Sequence, residues 1–175
     1  MNKGGMLHSI QFESPIGSLQ IVSSAQGIRR IELPDRATRN LSGVKTGEGN
    51  HLILVHATKQ LSEYFAGTRK YFDIPLDLHG TQFQLEVWQS LTGIGYGETN
   101  TYGQQAKKIG RPKAARAVGG ANAANPIPIV LPCHRIVGAN GSLTGYGGGT
   151  SLLYVKQYLL NFENRIADPE SHRTS

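Results

Sequence analysis

The chain has 175 residues, of which 38% are hydrophobic and 17% charged, a composition typical of one or two folded domains and not of a disordered segment. It carries 18 Lys and Arg against 12 Asp and Glu, and the net charge of +6 favours polyanionic partners such as nucleic acid. The single cysteine excludes an intramolecular disulfide and a zinc site built from several cysteines. No apolar run approaches the ~20 residues of a membrane span, and the first residues resemble no signal peptide. We therefore expect a cytoplasmic protein without a membrane partner.

The first 78 residues are predicted to form a small α/β domain that carries no chemistry. Short strands are expected at residues 8–12, 19–22 and 28–33. The sequence Ser14-Pro15-Ile16-Gly17, between the first two of them, is typical of a turn. Residues 35–50 are polar and contain glycine, so we expect a loop there.

One helix and a returning strand complete this predicted domain. Apolar residues recur at the spacing of an amphipathic helix that ends at Gly67, and they are Leu54, Ala57, Leu61 and Phe65. Residues 71–78 alternate apolar and polar side chains, which predicts a strand. The scattered histidines lack the paired spacing of metal ligands, so no metal site is expected from His8, His51, His56 and His79.

A linker near His79-Gly80 leads to a second, mostly helical domain, predicted for residues 80–165 and followed by a polar tail over 166–175. Thr81 is placed to cap a helix with apolar residues on one face. These are Phe83, Val87, Trp88 and Leu91. A glycine-rich connection over 93–100 follows.

Residues 102–124 have the pattern of a helix-turn-helix. A helix over 102–109, a tight turn over 110–112 and a helix over 113–124 are expected, with Pro112 near the first position of the second helix. That helix reads KAARAVGGANAAN, and its two adjacent glycines each cost roughly 1 kcal/mol relative to alanine. Such a slim face suits either tight helix packing or entry into the minor groove of DNA, only about 6 Å wide.

The segment Pro126–Gly138 reads PIPIVLPCHRIVG and contains Cys133, the only cysteine. An apolar run over 127–131, expected as a strand, leads into Pro-Cys-His-Arg. A thiol becomes a good nucleophile when a base or a positive charge lies nearby, and His134 and Arg135 follow directly. A lone cysteine after an apolar run is also common as a small buried hydrophobic residue. Composition and spacing leave both interpretations open.

The remainder predicts a glycine loop and a final helix. Gly145-Tyr146-Gly147-Gly148-Gly149 is expected to be flexible, and it lacks the Lys-Ser/Thr pair of a phosphate-binding loop. The last helix carries one apolar face, made of Leu152, Val155, Leu159 and Phe162. Lys156 and Glu163, seven residues apart, are predicted to share a face of this helix.

Pro-Cys-His-Arg, preceded by an ARAVGGA helix and Asn-Pro, resembles the active site of the O6-alkylguanine-DNA alkyltransferases, and the match extends from Thr81 to Glu163. The resemblance implies two small α/β domains, an N-terminal ribonuclease H-like domain and a C-terminal domain with a helix-turn-helix. It also implies direct-reversal repair, in which an alkyl group moves from O6 of guanine, with O4 of thymine as a possible second site, to Cys133. Such a protein acts once, as a monomer, and needs no metal or cofactor.

The resemblance also implies catalytic roles. His134 would remove the thiol proton through a water molecule, and Glu163 would hold the other nitrogen of its imidazole. Tyr102 would give a proton or a hydrogen bond to N3 of the departing guanine. Asn125 matches an asparagine that ties the DNA-reading helix to the active-site strand.

Further residues match the substrate pocket and the DNA surface. The carbonyls of Cys133 and Ile136 would accept from the guanine amine, and the Gly147 N–H would meet O6. Lys156 and Tyr146 also fall in the pocket. Arg116 would replace the flipped nucleotide in the minor groove of double-stranded DNA, and the other groove contacts would be Ala114, Ala115 and Thr101.

The chain departs from the family pattern between Gly149 and Lys156, a spacing of seven residues that is longer than the family usually has. The additional residues lie around 150–154 and are more apolar than the family usually has there, so they put the shape of the pocket lid and the substrate range in question. Two rival functions remain open: a lesion-binding protein of the same fold that transfers nothing, and a Cys-His-Glu hydrolase acting on small molecules. A transcriptional regulator is excluded for this chain, because it lacks a cysteine-rich sensor domain.

Overall fold

The computed structural model describes residues 6–34, 44–46 and 52–169. The chain divides into two compact units, Met1–His79 and Gly80–Ser175. Each unit combines strands and helices, which confirms the predicted α/β class. None of the helices in the described part is long and apolar enough to cross a membrane.

The first unit is built on a four-stranded sheet of order β3-β2-β1-β4. Its strands are β1 (Leu7–Ser14), β2 (Gly17–Ser23), β3 (Ile28–Glu32) and β4 (Val44–Thr46). The first three are antiparallel neighbours, and the turn predicted between β1 and β2 is confirmed, with Ser14 paired to Gly17. β2 has the most buried strand sequence, because it is central and covered by a helix.

Two sequence predictions in this unit are wrong. Residues 44–46, assigned to a loop, form β4, which pairs in parallel with β1; three residues are too short to show an alternating pattern. The remainder of the predicted loop lies outside the described residues. Residues 71–78 form no strand beyond one bridge between Leu76 and Ile28. Pro75 has no N–H to continue a ladder, although the alternation of exposure along this segment is as expected.

Helix α1 (Leu52–Phe65) covers the sheet with Leu54, Ala57 and Leu61, as predicted, and Tyr64 is buried beside them. The helix ends just before Gly67, where the N–H of Thr68 donates to the carbonyl of Glu63. This capping pattern stops the helix at the predicted place.

The second unit packs three helices, α2 (Gln82–Leu91), α3 (Tyr102–Lys108) and α4 (Ala115–Ala123), beside a fourth, α5 (Leu153–Ala167). The predicted cap of α2 is confirmed, because Thr81 and Gln84 form a reciprocal capping box. Strand β5 (Asn100–Thr101) pairs in parallel with β6 (Ile136–Val137). This short pairing fixes the start of α3 beside the segment that follows Cys133.

Helices α3 and α4 are packed together and joined by residues 109–114. Helix α4 begins at Ala115, two residues later than predicted, since the N–H of Ala114 donates to the carbonyl of Arg111 in a turn. Pro112 therefore lies in the connection and not at the first helical position.

A buried chain of amide hydrogen bonds joins α2, α3 and α4. Gln105 Nε2 donates to the Val87 carbonyl at 3.1 Å and to Ser90 Oγ at 3.0 Å. A carbonyl can only accept, so Gln105 Oε1 is left to accept from Asn122 Nδ2, at 2.7 Å. Trp88 adds a second link from α2 to α4, with Nε1 donating to the Ala121 carbonyl at 2.8 Å.

Replacing Gln105 by methionine keeps the side-chain volume but leaves the Asn122 amide without its acceptor. We expect a loss of about 2 kcal/mol in the free energy of unfolding, because a stranded buried donor keeps its full desolvation cost. Urea unfolding followed by Trp88 fluorescence measures it, since Trp88 is the only tryptophan and lies in this unit. The matched control is Gln157→Met on the exposed face of α5, which we expect to change stability by less than ~0.5 kcal/mol. Equal effects of the two substitutions would contradict the prediction.

Candidate active site

The segment before Cys133 is a loop, so the predicted strand over 127–131 is wrong. Pro128 and Pro132 cannot donate to a ladder, and Ile129 has a φ of 75°. The Leu131 N–H closes a turn onto the Ile127 carbonyl at 2.9 Å. The positive φ of a β-branched residue is costly and persists only where the surroundings fix it.

Asn125 provides much of that constraint. Its Nδ2 donates to the Leu131 carbonyl at 2.8 Å, and its Oδ1 accepts from the Ile127 N–H at 3.0 Å. The side chain therefore joins the end of α4 to both ends of the turn that precedes Cys133. The position of Asn125 therefore fixes the start of the segment that follows this turn, a short 3-10 helix over Cys133–Arg135.

Cys133 opens a short 3-10 helix, Cys133–Arg135, and is 6% exposed. Its pKa is raised from the ordinary cysteine value by burial, which disfavours the thiolate. A hydrogen bond from the Asn125 side chain and the charge of Lys156 act in the opposite direction. The resting group is thus a thiol that needs a base at the moment of reaction.

His134 follows Cys133 in the chain and is completely buried. Its Nε2 lies 2.7 Å from Glu163 Oε1, and its Nδ1 has no hydrogen-bond partner among the residues that the structure describes. Burial lowers the pKa of His134, and the charges of Arg135 and Lys156 add to that effect, while Glu163 opposes it. The imidazole is therefore neutral at physiological pH and able to accept a proton.

Arg135 was not predicted as a site residue, and the structure shows that it holds Glu163. Arg135 Nε donates to Glu163 Oε2 at 2.8 Å, and Nη2 donates to Oε1 at 2.9 Å. Its remaining Nη1 donates to the Ile94 carbonyl at 2.7 Å. The sequence showed a positive charge next to Cys133 but contained no local signal that this charge pairs with a residue 28 positions later.

Glu163 accepts one further hydrogen bond, from the Gly97 N–H at 3.2 Å. Burial alone would raise the pKa of Glu163, but the hydrogen bonds from His134 and Arg135 and the charge of Arg135 outweigh it and lower the pKa well below the usual range. Gly97 has a φ of 76°, and a Cβ there would approach the Ala167 side chain to 2.6 Å, so only glycine fits this contact. The carboxylate remains ionised and fully bonded.

Lys156 is buried on α5 and connects β6 to the glycine loop. Its Nζ donates to the Ile136 carbonyl at 2.5 Å and to the Gly145 carbonyl at 3.2 Å. Burial lowers the pKa of Lys156, although the neighbouring Cys133 thiolate would raise it. As predicted, Lys156 and Glu163 lie on one buried face of the helix.

The glycine loop contains a tight turn. Tyr146 and Gly149 exchange two backbone hydrogen bonds, of 2.8 and 3.2 Å, around the pair Gly147-Gly148. Both glycines have positive φ, 59° and 83°, as a tight primed turn requires. The Tyr146 side chain is only 4% exposed, and burial followed by the charges of Cys133 and Glu163 raises its pKa well above the usual value.

These elements surround a cleft of about 560 Å³. Five predicted site residues besides Cys133 line it, and they are Tyr102, Ala115, Arg116, Tyr146 and Gly147. The other predicted residues of the catalytic site and pocket do not line the cleft, and they are Asn125, His134, Ile136, Lys156 and Glu163. Ala114 and Thr101 do not line it, and the Thr101 side chain caps α3 by accepting from the Gln104 N–H at 3.1 Å.

The additional residues around 150–154 leave the cleft open. Leu152 is buried at the start of α5, and Tyr154 in the first turn is 55% exposed. Helix α5 begins three residues before Lys156, so most of the additional length forms a turn and helix away from the cleft. Thr150 is the only one of these residues that lines the cleft in the described part of the chain.

Comparison with known proteins identifies the family. A model described as 6-O-methylguanine DNA methyltransferase, DNA binding domain, matches residues 82–165. A second, described as 6-O-methylguanine DNA methyltransferase, ribonuclease-like domain, matches residues 7–78. The chain belongs to this family.

Individual members of the 6-O-methylguanine DNA methyltransferase family match over most of their length. A methylated-DNA–protein-cysteine methyltransferase of Mycolicibacterium paratuberculosis is 47% identical over 154 residues, 87% of this chain and 90% of that protein. The same-named protein of Methanosarcina acetivorans is 45% identical over 152 residues, 87% of this chain and 95% of that protein. The crystal structure of Mycobacterium tuberculosis OGT in complex with DNA has a TM-score of 0.80 and 42% identity, covering 92% of this chain and 94% of that chain. The resemblance inferred from the sequence is confirmed.

In this member of the family, replacing Arg135 by methionine should cost about 3–5 kcal/mol of unfolding free energy, because it leaves the buried Glu163 charge without its main partner. Trp88 fluorescence during urea unfolding measures the loss. The control is Arg111→Met, which removes an ion pair between half-exposed Arg111 and Glu86 and should cost less than ~1 kcal/mol. A loss no larger for Arg135 than for Arg111 would contradict the assigned role.

Proposed function

We propose that this chain repairs O6-methylguanine in DNA directly, by taking the methyl group onto Cys133. The observation that carries the proposal is that Cys133 lines an open cleft and is followed by the buried pair His134–Glu163, whose Nε2 and Oε1 atoms lie 2.7 Å apart. Membership of the 6-O-methylguanine DNA methyltransferase family supplies the substrate class. The protein acts as a monomer in the cytoplasm, where a reducing environment keeps the thiol free.

The reaction is an in-line displacement at the methyl carbon. The sulfur of Cys133 forms the new S–C bond while the C–O6 bond breaks, and the electron pair of that bond moves into the guanine. The thiol proton passes to His134, whose neutral imidazole is held by Glu163 at 2.7 Å. The unpartnered Nδ1 is the nitrogen available for this proton, through a bridging water molecule.

Negative charge develops on the departing guanine, and hydrogen-bond donors around the cleft stabilise that charge in the transition state. The Tyr102 hydroxyl gives a proton to N3, and the Gly147 N–H meets O6. The carbonyls of Cys133 and Ile136 accept from the exocyclic amine; the Ile136 carbonyl, fixed by Lys156 Nζ, keeps a second lone pair for it. These contacts discriminate guanine from other bases.

Helix α4, the second helix of the proposed helix-turn-helix, binds the DNA and brings the damaged base to the cleft. Arg116 is exposed at the rim of the cleft and replaces the nucleotide that rotates out of the duplex. The small residues Ala114 and Ala115 let the helix backbone approach the minor groove, and Thr101 contacts the DNA backbone beside it. A net charge of +6 supports binding to the phosphates.

The product is a thioether, which no group in the described site can cleave, so each molecule reacts once. Incubation with an oligonucleotide containing one O6-methylguanine should add the mass of one CH₂ per protein, localised to Cys133 and saturating at one. Intact-protein and peptide mass spectrometry measure this increment. The Cys133→Ala variant should bind the same DNA and show no increase in mass.

Other outcomes identify the rival functions. DNA binding without any mass increment would indicate a lesion-binding protein and contradict transfer. An increment that persists in Cys133→Ala would place the acceptor elsewhere. Repeated turnover without modification of Cys133 would indicate a hydrolase.

Arg116→Ala should slow methyl transfer from duplex DNA by about ten-fold or more, because nothing then fills the space left by the rotated nucleotide. Transfer from the free base O6-methylguanine requires no rotation and should be unchanged. Rapid-quench measurement of S-methylation gives the transfer rate on each substrate. The control is Lys113→Ala, which removes a neighbouring exposed positive charge. Equal slowing on the free base would assign Arg116 to the pocket itself and reject the DNA role.

A further inference from the structure

Thr144 touches the group that is proposed to protonate the leaving guanine. Its Oγ1 donates to the Tyr102 hydroxyl oxygen at 3.2 Å, and both residues line the cleft that holds Cys133. The two residues come from different elements, since Tyr102 begins α3 and Thr144 precedes the glycine loop. Neither composition nor spacing predicted this contact.

The ring of Tyr102 is supported independently. Lys156 Nζ lies 5.9 Å from its centroid, and a Cβ built on Gly119 of α4 would be 3.7 Å from the ring edge. Lys156 also holds the carbonyl of Gly145, the residue that follows Thr144. The ammonium group of Lys156 therefore contacts both the Tyr102 ring and the backbone next to Thr144.

We propose that Thr144 is a positioning residue for the transfer reaction, because it orients the Tyr102 hydroxyl toward the guanine. A phenol oxygen that accepts from Thr144 cannot direct its own hydrogen at the same partner, so that hydrogen is free to point into the cleft. This inference rests on the proposed function, and it adds a residue to the proton-donating half of the site.

The proton balance gives Thr144 a second effect. While the S–C bond forms and the C–O6 bond breaks, the proton of Tyr102 moves to guanine N3 and leaves a negative charge on the phenol oxygen. The hydrogen bond from Thr144 strengthens as that charge develops, since bonds to charged groups are stronger than neutral ones. The proton that His134 took from Cys133 later restores the phenol through solvent.

The test compares two lesions in the same duplex, O6-methylguanine and O6-methyl-3-deazaguanine, which has carbon at position 3 and cannot accept the proton. Thr144→Val keeps the shape of the side chain without its hydroxyl, and Thr144→Ser keeps the hydroxyl. Single-turnover S-methylation of Cys133 is measured at saturating DNA, and Trp88 fluorescence confirms that each variant is folded.

We expect Thr144→Val to slow transfer from O6-methylguanine by about ten-fold and Thr144→Ser to stay within about two-fold of the unaltered protein. On the 3-deaza lesion, all three proteins should react at one common, slower rate. In a Tyr102→Phe background, Thr144→Val should have no additional effect.

Unchanged transfer in Thr144→Val, equal slowing on both lesions, or failure of serine to restore the rate would each overturn the inference. Failure of the proposed function is distinguishable, because the unaltered protein would then gain no mass on Cys133 from either lesion.

Discussion

The active site depends on one buried carboxylate. Glu163 of α5 accepts hydrogen bonds from His134 and Arg135, which are neighbours in the 3-10 helix, and from the Gly97 N–H in the connection before α3. Burying an ion costs several kcal/mol unless its partners are well placed, so the carboxylate is favourable only when all these segments are in position. The same requirement fixes the imidazole behind Cys133. Correct folding of the second unit and correct alignment of the base are therefore one condition.

The pairing with Arg135 also sets the chemistry of the base. A buried carboxylate alone would strongly favour a protonated imidazole beside it. Burial is the main cause that lowers the pKa of His134, and the Arg135 guanidinium, which pairs with Glu163, acts in the same direction, so the ring stays neutral and can accept a proton. Burial raises the pKa of Cys133, so the thiol is protected from indiscriminate reaction.

Local features of the second unit could be predicted because the sequence alone determines them. The cap at Thr81 and the shared face of Lys156 and Glu163 follow from residue type and helical spacing. Contacts between distant residues could not be predicted in this way. The pair Arg135–Glu163 and the contact of Thr144 with Tyr102 depend on how segments come together. The apolar run over 127–131 is typical of a buried strand, and this pattern led to the wrong prediction. Pro128 within the run and Pro132 after it cannot donate to a ladder, and the Asn125 side chain fixes the segment as a turn.

The wall of the cleft opposite α4 is mostly main chain. Gly147 and Gly148 contribute no side chains, and their turn is closed by the two hydrogen bonds between Tyr146 and Gly149. Lys156 holds the near end of this wall through the Gly145 carbonyl. The backbone of this part of the cleft is therefore held by hydrogen bonds at both ends of the turn. Of the additional residues before Lys156, Thr150 lines the cleft in the described part of the chain, and Leu152 is buried where α5 begins. Any effect of the additional residues on substrate range is therefore expected to act through Thr150, the one of them that lines the cleft in the described part of the chain.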